Sequence, residues 1–236
     1  MVPLRDQNPT KITPYVTYVL IGLNVAIFLY QINLSPAQLE VFFQLYAVVP
    51  VELTASFRGI TVNQPVPEWL TLITAQFLHG GILHLGGNML YLWVFGDNIE
   101  EALGRIRYIL FYLMCGVLAS LAQWFFSSQS GVPSLGASGA IAGIMGAYVL
   151  RFYDREILTL LPIFIIWTTV RVPALFFIGF WFIQQAFYGV ASLNAPTSIG
   201  MEGGGVAYWA HAGGFVFGAI LAPIMGLFDK NKNTYY

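Results

Sequence analysis

Long apolar runs dominate the chain, and the polar residues between them mark where it turns. A helix that crosses a bilayer needs about 20 mostly apolar residues. Six stretches are candidates: residues 15–34, 82–95 with the uncharged 70–81 ahead of them, 108–126, 136–150, 172–190 and 206–228. No charge occurs from Tyr108 to Leu150, yet SSQSGVPSLGASG breaks that run into two helices joined by a polar turn. Residues 157–169 are apolar but short and end at Arg171 and Pro173, so they read as an interfacial connection and not a seventh span. The pattern predicts an all-α polytopic membrane protein with six transmembrane helices. Its parts are a short segment 1–14, a membrane domain 15–228 with a long first loop 35–68, and a tail 229–236. Within that loop, AQLEVFFQLYAVVPVEL is amphipathic and is expected to lie on the membrane surface.

Composition supports this reading. Of 236 residues, 57% are hydrophobic and 9% are charged, against about 25% charged in soluble domains. A net charge of -1 gives no reason to expect a nucleic-acid partner. The single cysteine, Cys115, lies in an apolar run, which excludes a disulfide framework and a thiolate metal cluster. The polar segment 1–14 does not read as a cleavable signal peptide. With six spans, Arg5, Lys11, Arg105, Arg107, Arg151, Arg155, Arg171, Lys230 and Lys232 fall on one side, and only Arg58 falls on the other. By the preference of basic residues for the cytoplasm, both termini are cytoplasmic and the loops 35–68 and 191–205 are external.

Polar groups inside a span are costly and therefore suggest function. In this topology His84 and Asn88 share one face in the outer half of the second span. Ser138 starts the fourth span and His211 lies about 8 Å into the sixth. Ser, His, His and Asn thus reach one shallow depth. Gly139 and Gly143, and Gly214 and Gly218, are spaced to let the helices that carry Ser138 and His211 pack backbone to backbone. A serine hydroxyl beside an imidazole base permits nucleophilic attack on a carbonyl. The Ser138 N–H, Asn88 and His84 are candidate donors to the resulting oxyanion. The external acids Glu40, Glu52, Glu68 and Glu202 lie outside the spans, so the residues argue for a dyad and not a triad.

Structural explanations compete with each of these. Ser138 alone reads as an N-cap, His211 as a hydrogen bond between helices, His84 with Asn88 as a polar clasp, and the glycines as packing. His79, His84 and His211 match no zinc spacing, and no metal or cofactor is expected.

On the same residues the chain resembles the rhomboid family of intramembrane serine proteases. GASGAIAG, including Gly136, is similar to the family's nucleophile motif, with Ser138 in the nucleophile's place. AHAGGFVFG resembles the motif that supplies the histidine, His211. FLHGGILHLGGNMLYLWVFG resembles the helix whose histidine and asparagine stabilise the oxyanion, here His84 and Asn88. GDNIEEALGRIRYI resembles the segment after it, with Glu100 matching its acidic residue. Leu70 follows Trp69 where many members have arginine. Ala142 stands where some have a tyrosine packed on the histidine, so other groups must position His211.

The resemblance implies a six-helix rhomboid-like bundle that cleaves transmembrane segments of other proteins near the outer face of a bacterial cytoplasmic membrane. A helix hides its carbonyls, so the substrate must unwind, and Gly, Ala or Pro near the cut should help. Thr74, Gln76, Ser127, Ser128, Gln129 and Ser130 are expected to line a water cavity. The fifth span, bulky with Phe176, Phe177, Phe180, Trp181 and Phe182, is the expected lateral gate, capped by 191–205. The partners are then transmembrane substrates and the lipid bilayer, with the oligomeric state open. A non-catalytic member that binds client helices and a channel are the competing classes. The clustering of polar groups at one depth counts against the channel.

Overall fold

The structure, a computed structural model, describes residues 1–60, 65–163, 166–193 and 207–229. In chain order the elements are β1 (Val2–Asp6), α1 (Tyr15–Gln31), α2 (Pro36–Tyr46), α3 (Pro50–Phe57), α4 (Glu68–Thr74), a 3₁₀ turn (Ala75–Phe77), α5 (Ile82–Leu103), α6 (Arg105–Ser127), α7 (Ser138–Phe152), β2 (Glu156–Ile163), β3 (Ile166–Pro173), α8 (Ala174–Ser192) and α9 (Tyr208–Ile224). The loop 194–206 and the tail 230–236, including the expected cap and Lys230 and Lys232, lie outside the described residues.

All six apolar stretches contain a helix, namely α1 and α5 to α9. By length and apolarity alone, α6 and α8 suffice to cross a membrane, whereas α1, α7 and α9 are shorter apolar helices. The 17 residues of α1 or α9 rise about 26 Å, somewhat under a ~30 Å hydrocarbon core.

The all-α expectation is corrected. A three-stranded antiparallel sheet in the order β1-β2-β3 sits at one end of the bundle. The stretch read as an interfacial connection is its β2–β3 hairpin, with Glu156 opposite Pro173. The physical reason is the β-branched run Ile166, Thr168, Thr169, Val170 and Val172, which favours a pleated surface. Segment 1–14 enters the same sheet through β1. Val2 pairs with Leu160, and the Asp6 carboxylate accepts from Tyr148 Oη at 2.6 Å and from Asn98 Nδ2 at 3.1 Å.

The core lies where α5, α6, α7 and α9 meet, around the fully buried Phe95, Tyr108, Phe111, Tyr112, Ile144, Met145 and Tyr148. Buried polar groups fasten helix ends. The Glu100 carboxylate accepts from the backbone N–H groups of Val16 (3.0 Å) and Thr17 (2.8 Å) and from the Thr17 hydroxyl (2.8 Å), completing the N-terminus of α1. Gln31 at the far end of α1 exchanges two hydrogen bonds with the backbone of His79, which fixes the turn before α5. Loop 35–68 is more than a surface helix. Ala47, Val48, Val49 and Leu53 are buried, and Val48 forms a β-bridge with Ser134 in the loop before α7.

Candidate active site

Ser138 is the first residue of α7, and no side chain caps that helix. Its hydroxyl therefore does not serve as the N-cap that a serine in this place would ordinarily provide. It meets the Nε2 atom of His211 on α9 at 2.7 Å.

Small residues bring these two helices together. An added Cβ on Gly218 would fall onto the Gly143 backbone, and one on Gly214 onto the Gly139 carbonyl. The α7–α9 pair is the most extensive helix contact in the bundle. Gly139 and Gly143 also face Ala119 and Cys115 of α6, so a third helix closes on the same seam. From α6, Gln123 Oε1 accepts from the Ala210 N–H at 3.2 Å, holding the start of α9. Gly139, Gly143, Gly214 and Gly218 thus lie at close helix approaches, whereas Gly136 precedes α7 and faces a side chain.

Gly136 has φ +126, and a Cβ there would come within 2.9 Å of the His84 ring. The ring of His84 therefore lies against the loop that leads into Ser138. The Gly80 N–H donates to His84 Nδ1 at 3.4 Å. That assigns the ring proton to Nε2, the atom beside Gly136. Asn88, one turn further along α5, is buried, and its Nδ2 has no partner among the described residues. The Ser138 N–H belongs to the first turn of α7, where amides have no intrahelical acceptor. The His84 imidazole thus stands beside the loop that carries Ser138, and one turn along the same helix Asn88 Nδ2 is a buried donor without a described partner.

The second nitrogen of His211 reaches a residue that the sequence reading missed. Gln185 of α8 places Oε1 at 2.7 Å from His211 Nδ1. Trp181, one turn earlier on the same helix, packs its ring 5.7 Å from the His211 ring. Ala142, the place left without a tyrosine, is buried, and the described aromatic support of His211 comes from α8. A signal for Gln185 existed: it is a polar residue within an apolar span, in WFIQQAFYG.

The cleft that two of the residues expected around a water cavity do line includes neither Ser138 nor His211. Ser128 and Gln129 line it with Thr54, Phe57, Arg58, Trp124 and Phe125 at the C-terminal end of α6. Gln76 is instead buried and bonded to the Leu72 and Leu113 carbonyls, Thr74 is bonded to the Tyr46 carbonyl and Ser127 to the Gln123 carbonyl. Among the described residues, no group of three or more His, Cys, Asp or Glu side chains is arranged to hold a metal.

The Rhomboid domain model matches residues 66–228. The chain is 32% identical over 215 residues to rhomboid protease GluP of Bacillus subtilis, covering 91% of this chain and 35% of that protein. It is 28% identical over 199 residues to Rhomboid-like protein 11, chloroplastic, of Arabidopsis thaliana, covering 84% and 64% respectively. Rhomboid protein 1, mitochondrial, of Saccharomyces cerevisiae is 29% identical over 208 residues, covering 86% and 51%. The chain thus spans between about a third and two thirds of the length of these relatives.

Proposed function

Because the chain belongs to the rhomboid family, whose members are integral membrane proteins, we propose that it is an intramembrane serine endopeptidase acting through Ser138 and His211. The observation that carries this reading is the 2.7 Å contact between Ser138 Oγ and His211 Nε2 at the closest helix seam in the molecule. In the proposed reaction, Ser138 Oγ attacks a peptide carbonyl carbon as its proton passes to His211 Nε2. The Ser138 N–H, Asn88 Nδ2 and His84 Nε2–H receive the oxyanion. His211 then protonates the leaving amine, and water, deprotonated by the same imidazole, hydrolyses the acyl-enzyme.

We read α1 and α5 to α9 as six spans with the sheet on the cytoplasmic side. Arg107, Arg151 and Arg171, close to the sheet or to the α9 terminus, share one end of the bundle with β1. The bacterial cytoplasmic membrane is our proposed location, supported by the Bacillus subtilis match, although organellar relatives match as well. Substrates are transmembrane segments that unwind near the outer face. They arrive past α8, whose Phe176, Phe180, Ile183 and Phe187 are exposed on the bundle surface.

The test is cleavage of a single-span substrate in liposomes by the wild type, Ser138→Ala and His211→Ala. Cleavage by the wild type alone supports the reading. Equal cleavage by both folded variants refutes the dyad. A wild type that binds helices and cuts none makes it a client-binding member.

A further inference from the structure

Among the described groups, His211 is held from two sides, and the second hold comes from the helix proposed to move. Gln185 is buried, and its carbonyl oxygen lies 2.7 Å from Nδ1 while Ser138 Oγ lies 2.7 Å from Nε2. An amide oxygen can only accept, so Nδ1 must carry the proton, which leaves the Nε2 lone pair facing the serine. The other tautomer would point an N–H at Ser138 and could not take its proton. Trp181 and Gln185 are four residues apart and so lie on one face of α8, the first beside the ring and the second at its edge.

We infer that Gln185 is a positioning residue for the base, fixing the His211 tautomer from α8, with Trp181 holding the ring plane. The inference rests on the serine-protease reading above. It assigns to a neutral amide the orienting task that a carboxylate performs in three-residue sites. It also makes competence of the base depend on where α8 sits.

The experiment compares wild type, Gln185→Met, Gln185→Glu and Ser138→Ala in two assays. One is the rate of Ser138 labelling by a small fluorophosphonate, which does not need a substrate helix to pass α8. The other is kcat and KM for a single-span substrate. Gln185→Met should slow labelling and kcat in parallel by about 10–100-fold with KM little changed. Gln185→Glu, which keeps an acceptor on the same stem, should recover most of that loss. Labelling of Gln185→Met at the wild-type rate overturns the inference and leaves the protease reading intact. A wild type unlabelled at Ser138 overturns both. Should Gln185→Met fail to fold, the 15N spectrum of the wild-type imidazole decides. A proton on Nδ1 of His211 supports the assignment, and a proton on Nε2 refutes it.

Discussion

Gly136 holds φ +126 with the His84 ring against its α-carbon, so a methyl there is both strained and in collision. Gly136→Ala should therefore displace His84 or the serine loop and lower kcat by about 100-fold, on the scale of losing one oxyanion donor. Wild-type cleavage by that variant would show that His84 is not needed where it stands. Asn88→Ala gives a complementary test. Because Asn88 Nδ2 has no described partner, its removal should lower kcat by about 10²–10³-fold while leaving thermal stability in detergent nearly unchanged. A large fall in Tm with kcat preserved would make Asn88 a structural clasp. Ser138, His211, His84 and Asn88 were legible in the sequence because a polar residue in an apolar span is conspicuous and helical periodicity sets its depth. Gln185 carried the same signal but is uncharged and stands among aromatics. Trp181 carried none, because nothing in a row of large rings tells which one faces inward.

At the scale of elements, the glycine seam decides whether the dyad exists. Gly218→Val would drive a branched side chain into the Gly143 backbone. Separating α7 from α9 should cost about 2 kcal/mol or more and abolish fluorophosphonate labelling, because Ser138 and His211 ride on opposite sides of the seam. Unchanged labelling would mean that the contact is not what sets the dyad distance. The gate is tested by cysteines placed in the outer halves of α5 and α8. Cys115 is buried, so it offers little competition for the engineered pair. Oxidation should reduce substrate cleavage and spare fluorophosphonate labelling, with cleavage restored by reductant. Cleavage unaffected by the cross-link would remove α8 as the route of access. The helices were readable from apolar run lengths and the polar turn before Ser138. The hairpin was not, because a short apolar run looks alike as strand or buried helix. Its β-branched content was the available cue, and β1 offered none, since its pairing depends on a partner far along the chain.

Over the whole molecule, the end that carries the sheet is tied by polar contacts, and elsewhere the buried Ala47 to Pro50 and Leu53 and the bridge from Val48 to Ser134 fasten loop 35–60. Asp6 is the titrating member of the first set. Burial raises its carboxyl from an ordinary value of 3.8 to about 6, against the opposing hydrogen bond from Tyr148. The folded state therefore binds more protons between those values, so the contribution of Asp6 to stability is full below about pH 4 and is lost as pH rises through about 6. Asp6→Asn should make the β1 clasp insensitive to this range. At pH 7.5 the gain should be on the order of 1 kcal/mol after solvent screening, and near pH 4 it should vanish. Hydrogen exchange of the β1 amides measures it, and protection that grows with pH in the wild type would refute the assignment. The same strand has a consequence in time. Val2 lies opposite Leu160, so roughly 160 residues separate the synthesis of β1 from that of its partner, or about 8–30 s at usual elongation rates. Throughout that interval α1, α5, α6 and α7 are made while β1 stays without its partner strand. The β1 clasp thus cannot close until α7 has been made, and α9, the other side of the glycine seam, is made later still, so the sheet is available to fasten that end of the bundle before His211 reaches Ser138.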